Sequence, residues 1–315
     1  MELFGMQTVG SPALWLSFLA LVIGLLAIDL GLFHRKAHAV SAREAAVWSA
    51  IWIGLEAAFA ACVYAWFGPE RALEFAAGYL IEKALAIDNI FVFVVIFAAF
   101  RVAPTWQHRV LFWGIVGALI MRALFVVAGG AFLGAFHWAI YLFGALLVAT
   151  GIKLFLLRDR EPHPEKNPLL RTIQRVIPVD AGDHGGRFVV RKEGRWFATP
   201  LLLALLTVEF TDVIFAVDSI PAIFAVTGDP FIVFTSNIFA ILGLRSLYFL
   251  VAGVVTRFRY LTAGLSAVLV FVGAKMVLAD VVQVPVAASL GVIAAILGVA
   301  VAASLWRAPR QPAVR

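Results

Sequence analysis

Nine runs of roughly 20 predominantly apolar residues follow one another along the chain, at about 13–33, 45–67, 74–99, 108–133, 137–157, 199–226, 231–255, 260–280 and 285–306. A helix of that length crosses the hydrocarbon core of a bilayer. Hydrophobic residues make up 63% of the 315 and charged residues only 14%. Soluble domains hold about 45–50% apolar and about 25% charged residues, and no water-soluble fold of this length hides so much apolar surface. A soluble enzyme, a disordered chain and a fibrous repeat are therefore excluded. The expected fold is an all-α membrane protein of about nine transmembrane helices.

The net charge of +6 matters less than where it lies. Nineteen of the 25 Lys and Arg residues fall in the odd-numbered connections and the C-terminal tail, and the opposite side holds only Arg71. Basic loops stay cytoplasmic. This predicts a bacterial inner-membrane protein with its N-terminus outside and its C-terminus inside. The first apolar run lacks a preceding basic region and is expected to be a retained span. The one long connection, 158–198, carries four prolines and Gly185-Gly186, and is expected to be a polar cytoplasmic loop of little regular structure. Cys62 is the sole cysteine, so a disulfide framework is excluded, and its apolar surroundings predict a small buried core residue.

Part of the chain repeats. EKALAIDNIFVF (82–93) in the third run matches DVIFAVDSIPAIF (212–224) in the sixth, pairing Glu82 with Asp212, Asp88 with Asp218 and Asn89 with Ser219. Arg122 in the fourth run matches Arg245 in the seventh, and Gly151-Ile-Lys153 in the fifth matches Gly273-Ala-Lys275 in the eighth. A repeat displaced by an odd number of spans runs through the membrane in the opposite sense, the arrangement of many secondary transporters. Two inverted three-helix repeats are therefore expected: spans 3–5 within 74–157 and spans 6–8 within 199–280, on either side of the loop 158–198. Residues 1–73, with spans 1 and 2, and 281–315, with span 9 and the tail, are peripheral.

Seven carboxylates fall inside the runs, clear of their end positions: Asp29, Glu56, Glu82, Asp88, Glu209, Asp212 and Asp218. At about 2.5–3.5 kcal/mol each, they total on the order of 20 kcal/mol if unpaired. Protonation, ion pairing or a bound cation must offset that. Glu82, Asp88, Asn89, Glu209, Asp212, Asp218 and Ser219 form an almost wholly oxygen ligand set. The six histidines lie in loops or at span ends, so a hard dication (Mg²⁺, Ca²⁺ or Mn²⁺) fits better than Zn²⁺, Cu⁺ or haem. Arg122, Lys153, Arg245 and Lys275 are available as supporting charges, static or exchanging with the cargo. Glu56 lies deep enough to relay protons, and Asp29 is expected at the cytoplasmic interface. Asn237 is expected to make a helix–helix hydrogen bond. At about 100° per residue Glu82 and Asn89 share a helix face, Asp88 lies about 120° from Glu82, and Asp218 lies about opposite Glu209. Two straight helices cannot aim all these acids at one ion. Pro221 is either a plain kink or a device that opens the backbone near Asp218.

EKALAIDNIFVF (82–93), the long segment 197–249 and the Gly-x-Lys of the eighth run resemble the TerC family of integral membrane proteins, in particular its Alx-like branch. The resemblance covers roughly residues 10–306. It implies membership of an exporter superfamily and, for several members, manganese export from the cytoplasm, with Glu82, Asp88, Glu209, Asp212 and Asp218 as the metal-handling acids. The expectation is a secondary transporter exporting Mn²⁺, coupled to proton antiport because no nucleotide-binding motif is present. The expected partners are the bilayer and the divalent cation, with a homo-oligomer admitted, no nucleic acid and no resident cofactor. The rival readings are the same fold moving Ca²⁺ or a tellurium-related species, and a non-transporting membrane partner in metal loading. An intramembrane enzyme lacks the necessary nucleophile–base pair.

Overall fold

A computed structural model describes residues 2–3, 6–33, 40–157, 178–180, 182, 184–252, 260–282 and 284–306. Two short strands, β1 (Glu2–Leu3) and β2 (Met6–Gln7), pair antiparallel ahead of α1 (Pro12–Phe33), α2 (Ala42–Phe67), α3 (Pro69–Ala99), α4 (Pro104–Ala135) and α5 (Ala139–Leu157). After the long connection come β3 (Val189–Lys192), β4 (Arg195–Ala198), α6 (Pro200–Phe224), α7 (Pro230–Leu242), α8 (Leu244–Val251), α9 (Leu261–Val277) and α10 (Val286–Trp306).

Among the described residues, six helices are long and apolar enough to cross a membrane, and α7 with α8, bent by 42° at their break, can supply a seventh span. The third predicted run, α3, is long but carries Glu70, Arg71, Glu74, Glu82, Lys83 and Asp88, and the eighth, α9, has 17 residues.

Local chemistry sets the boundaries. Ser41 caps α2 by accepting from the Glu44 N–H at 3.2 Å, with Glu44 at the third position of a capping box. Gly68, at φ 87°, closes α2 through its N–H to the Tyr64 carbonyl, and Pro69 starts α3 at once. One residue thus joins the two helices, a glycine stop followed by a proline start. Thr199 and Asp229 cap α6 and α7, each followed by proline.

Pro221 does not open α6, which runs continuously to Phe224. It stands in the last turn, where a missing N–H forfeits only the bond to Val217. The break lies one span later, at Gly243. There Lys83 Nζ donates to the Ala240 carbonyl at 3.1 Å, serving a group that a broken helix leaves unpaired.

The core is built by cross-packing. α3 packs on α7, α4 on α6 and α5 on α9. Every residue of α7 is buried, as expected of a helix apolar all round. The α5–α9 contact depends on glycine: a Cβ on Gly144 would meet the Gly273 carbonyl at 2.8 Å, and one on Gly151 would meet the Ser266 carbonyl at 2.8 Å. Around this core, α1, α2, α5 and α10 expose large apolar side chains, among them Leu16, Ile23, Leu156 and Val299. Cys62 is exposed on α2, not buried as expected. An apolar run does not distinguish a face turned to lipid from one turned to the core.

Contacts tie alternate connections to opposite ends. Thr8 and Val9 bond Asp229 at 2.7 and 2.8 Å, and Thr227 bonds Glu74 at 2.6 Å, joining the N-terminal segment, the α6–α7 connection and the start of α3. At the other end, Arg109 stacks on Phe188, Tyr248 bonds Gln107 at 3.1 Å, and Thr199 bonds the Arg187 carbonyl at 2.7 Å. Part of the predicted irregular loop is ordered there. β3 and β4 form an antiparallel hairpin turned by Glu193 (φ 49°) and Gly194 (φ 80°), the double positive φ of a two-residue hairpin turn.

Candidate functional site

Glu82, Asn89 and Gly78 share one face of α3; Glu209, Asp212, Ala216 and Ser219 share one face of α6. α4 and α7 pack against these faces. At the centre lies Arg122 of α4, 1% exposed, against Glu82 at 0%. Arg122 Nη1 stands 2.7 Å from Glu82 Oε1 and donates to Ser219 Oγ at 2.8 Å and to Asn237 Oδ1 at 3.1 Å. Asn237 Nδ2 donates back to Glu82 Oε2 at 3.4 Å. Arg122 Nε faces Asp212 Oδ2 at 4.0 Å, too far for a hydrogen bond. Four helices thus meet on one guanidinium. The two buried acids outnumber it by one charge when both are ionised.

Asp212 is the less satisfied acid. Its Oδ2 and Arg122 Nε have no hydrogen-bond partner among the described residues. Asp212 also lines a small cavity of about 10 Å³, shared with Arg245 and otherwise apolar, room for about one water molecule. One turn before Asp212, the Glu209 carboxylate lies over Gly117 of α4, in space that a Cβ at Gly117 would fill.

The seven predicted ligands do not converge. Glu82, Asp212 and Ser219 meet at Arg122, and Asn89 is buried on the same face of α3. Asp218, on the opposite face of α6, accepts from Thr150 of α5 at 3.0 Å and interacts electrostatically with Lys153. Asp88 lies in α3, and its side chain falls outside the described residues. Among the described residues, no group of three or more His, Cys, Asp or Glu is gathered tightly enough to hold a metal ion.

The supporting charges divide as well. Arg245 does not join the repeated acids; it pairs with Asp29 of α1. Asp29 is buried, because α8 brings it a cation. Lys153 is exposed on α5, while Lys275 interacts with Glu74. Glu56, half-buried on α2, interacts with Lys83.

Sequence reasoning missed two contributors. Asn237 makes the expected helix–helix hydrogen bond but does so as a member of the charge cluster. Glu74, at the first position of the third run, is a further acid, buried in the first turns of α3 and bonded by Arg71 at 2.7 Å.

A family model described as the integral membrane protein TerC family matches residues 67–312. A membrane protein of Myxococcus xanthus, STKORF319, is 57% identical over 312 residues, covering 99% of this chain and 97% of that one. A protein of Escherichia coli K12, provisionally named membrane-bound redox modulator Alx, is 45% identical over 311 residues, covering 96% and 97%. A membrane protein of Rickettsia felis is 38% identical over 293 residues, covering 93% and 97%. No solved structure matches the chain.

Proposed function

The chain belongs to the TerC family of integral membrane proteins, and from that premise we propose that it is a secondary transporter exporting a hard divalent cation, Mn²⁺ foremost, from the cytoplasm in exchange for protons. The observation that carries this reading is the buried group of Glu82, Asp212 and Arg122. Two acids at matching positions of a sequence repeat flank one guanidinium, with oxygen ligands from Ser219 and Asn237 beside them. A buried site with surplus negative charge favours a cation or a proton.

The packing supports two inverted three-helix units. Pairing Gly151 with Gly273 places Gly144 opposite Ser266. The two close contacts, Gly144 on Gly273 and Gly151 on Ser266, are then one contact with the partners exchanged, as a two-fold relation requires. The same holds for Gly78 against Ser236, between α3 and α7, and Gly114 against Val208, between α4 and α6. The one-residue shift that then brings Arg122 opposite Arg245 falls where the seventh run breaks, at Gly243. On this reading the ten described helices, with α7 and α8 as one broken span, make nine spans. The end that carries Arg101, Arg109 and the β3–β4 hairpin faces the cytoplasm of a bacterial inner membrane.

Alternating access then becomes an exchange of partners. Arg122 holds Glu82, Ser219 and Asn237 together and closes one side of Asp212. Arg245 stands on the other side of Asp212, withdrawn to Asp29. When the cargo leaves, Arg245 moves to Asp212 while Arg122 loosens its hold, so the acids never lack a counter-charge. Glu209 and Asp218 carry protons to and from the site. The coupling is needed because the inside-negative potential opposes cation loss by about 2.3 kcal/mol per charge per 100 mV.

The test is flux from purified protein in vesicles, across a panel of Mn²⁺, Ca²⁺ and Mg²⁺, with and without a pH gradient. The expected outcome is pH-gradient-driven Mn²⁺ movement that Asp212→Asn abolishes in a folded variant. Absence of flux for every ion would overturn it in favour of a non-transporting partner. A redox role by disulfide exchange within the chain has no support, since Cys62 has no second cysteine.

A further inference from the structure

Where α3 hands over to α4, the chain forms a second polar site, separate from the Arg122 cluster. A cavity of about 460 Å³ opens between that connection, the segment holding Gly182, His184, Gly186 and Arg187, and the start of α6. Its lining among the described residues includes Arg101, Arg187, His184 and Trp106, with the N-terminus of α6 at Thr199-Pro200, and holds no carboxylate. Arg101 and Arg187 are exposed, and their side chains have no hydrogen-bond or ion-pair partner among the described residues. The nearby Asp180 is already engaged: Lys192 pairs with it, Gly182 N–H donates to it at 3.1 Å, and His184 stands 3.3 Å away. The Lys192 bond chiefly holds its carboxyl down to about 2. It therefore stays ionised and bound to its own partners.

One wall of the cavity depends on a glycine. Gly186, at φ 79°, lies flat on the Trp106 ring, where a Cβ would collide. Positive φ and close approach both demand glycine there. Arg101 holds φ 52°, a conformation uncommon for a side chain of this kind, at the turn that ends α3.

Beside the cavity, the β3–β4 hairpin presents a surface of one character. Trp196 is 61% exposed and Val189 is 42% exposed. Arg191 stacks on Trp196 at 5.8 Å, and Lys192 and Arg195 are exposed next to them. Tryptophan with Arg and Lys is the composition of the membrane–water interface, and basic clusters there attract anionic lipids. Two unpaired guanidiniums can fork onto phosphate oxygens, with the positive end of α6 behind them.

We propose that this cavity binds the phosphate of an anionic phospholipid headgroup, with the β3–β4 hairpin lying on the same leaflet. The proposal is independent of transport, since it uses none of the residues around Arg122. The test is thermal unfolding of the purified full chain in neutral detergent, titrated with phosphatidylglycerol, phosphatidylcholine or inorganic phosphate. Phosphatidylglycerol is expected to raise the midpoint of the wild type by on the order of 3 °C, as ligand binding to the folded state does, and phosphatidylcholine to have little effect. In Arg101→Gln/Arg187→Gln, which alters only exposed side chains, the lipid concentration needed should rise about tenfold or more, a factor within reach of lost charge-assisted bonds. Equal responses to the two lipids, or an unchanged titration in the double variant, would overturn the proposal. Protection by inorganic phosphate as strong as that by phosphatidylglycerol would overturn the lipid assignment in favour of a soluble anion.

Discussion

Arg122 and Arg245 occupy matching positions in the two halves of the sequence, yet their surroundings differ. Arg122 lies within the repeated helices, bonded to side chains from α3, α6 and α7. Arg245 follows the break at Gly243 and reaches outside the repeat to Asp29 of α1. Glu82, the acid beside Arg122, stands 2.7 Å from it and accepts from Asn237; its counterpart Asp212 stands 4.0 Å from Arg122, with a small cavity between it and Arg245. The exchange of partners proposed above uses this difference: Arg122 holds the repeated acids while Arg245 holds Asp29.

The largest effect is expected at the engaged arginine. Arg122→Met leaves Glu82 and Asp212 buried without a counter-charge, and breaking a buried pair from one side costs about 3–5 kcal/mol. Thermal or denaturant unfolding in detergent should show that loss. Adding Glu82→Gln should recover much of it, because the orphaned charge is then gone. Failure of the second change to recover stability would mean that Arg122 acts through packing rather than charge.

At the withdrawn arginine the comparison predicts something milder. Asp29→Asn removes a partner, but Arg245 has Asp212 within reach through the shared cavity. The stability loss should stay near the about 1–3 kcal/mol of a lost hydrogen-bonding partner. Mn²⁺ export should fall about tenfold or more, because Arg245 then rests on Asp212 in both states. Combining Asp29→Asn with Asp212→Asn should destabilise by more than the sum of the two singles, since it removes both partners of Arg245. An export rate like that of the wild type in Asp29→Asn would remove the exchange mechanism while leaving transport itself intact.

Much of the frame was legible from hydropathy alone. The helical segments fall within a few residues of the nine apolar runs, because length and apolar content are what decide a spanning helix. The face-sharing of Glu82 with Asn89, and the opposition of Asp218 to Glu209, followed from helix periodicity and held: Asp218 points to Thr150, away from Asp212. What stayed hidden depends on packing across distant sequence. Asp29 and Arg245 are 216 positions apart, and no local pattern says which buried cation an acid in α1 will meet. Cys62 sits in a run whose two faces look the same by composition, though one meets lipid. The sequence offers Pro221 as a kink or an opening, and the break falls instead at Gly243. Position outweighed residue type: Pro221 falls in a last turn, and Gly243 lies beside Lys83, which serves the loosened carbonyl.

Next in size come the glycines that let the halves meet. Gly273→Ala pushes a Cβ to 2.6 Å from the Gly144 carbonyl and 2.8 Å from the Val148 nitrogen. Both are backbone atoms that cannot rotate aside, so about 1–3 kcal/mol of overpacking is expected. Gly144→Ala and Gly151→Ala meet the Gly273 and Ser266 carbonyls in the same way. If the halves are related by a two-fold axis, Gly151→Ala and Gly273→Ala should destabilise by similar amounts. A difference larger than about 1 kcal/mol between them, beyond the usual error of additivity comparisons, would break the symmetry of that contact.

The smallest stability effect, and the sharpest separation of structure from function, is expected at Gly117. A Cβ there collides with the Glu209 carboxylate, but that carboxylate ends a flexible side chain and can swing away. Gly117→Ala should therefore change unfolding stability by less than about 1 kcal/mol, the gain in helix propensity offsetting the displacement. Export should nonetheless fall, because Glu209 loses its position one turn from Asp212. Gly129, about three turns later on α4, is the control. There a Cβ would meet only Phe224 at 3.6 Å and Ile220 at 3.7 Å, so Gly129→Ala changes the helix surface without moving a carboxylate. If Gly129→Ala and Gly117→Ala reduce export equally, relative to their folded amounts, then α4 matters here for its fit and Glu209 has no part in carrying the proton.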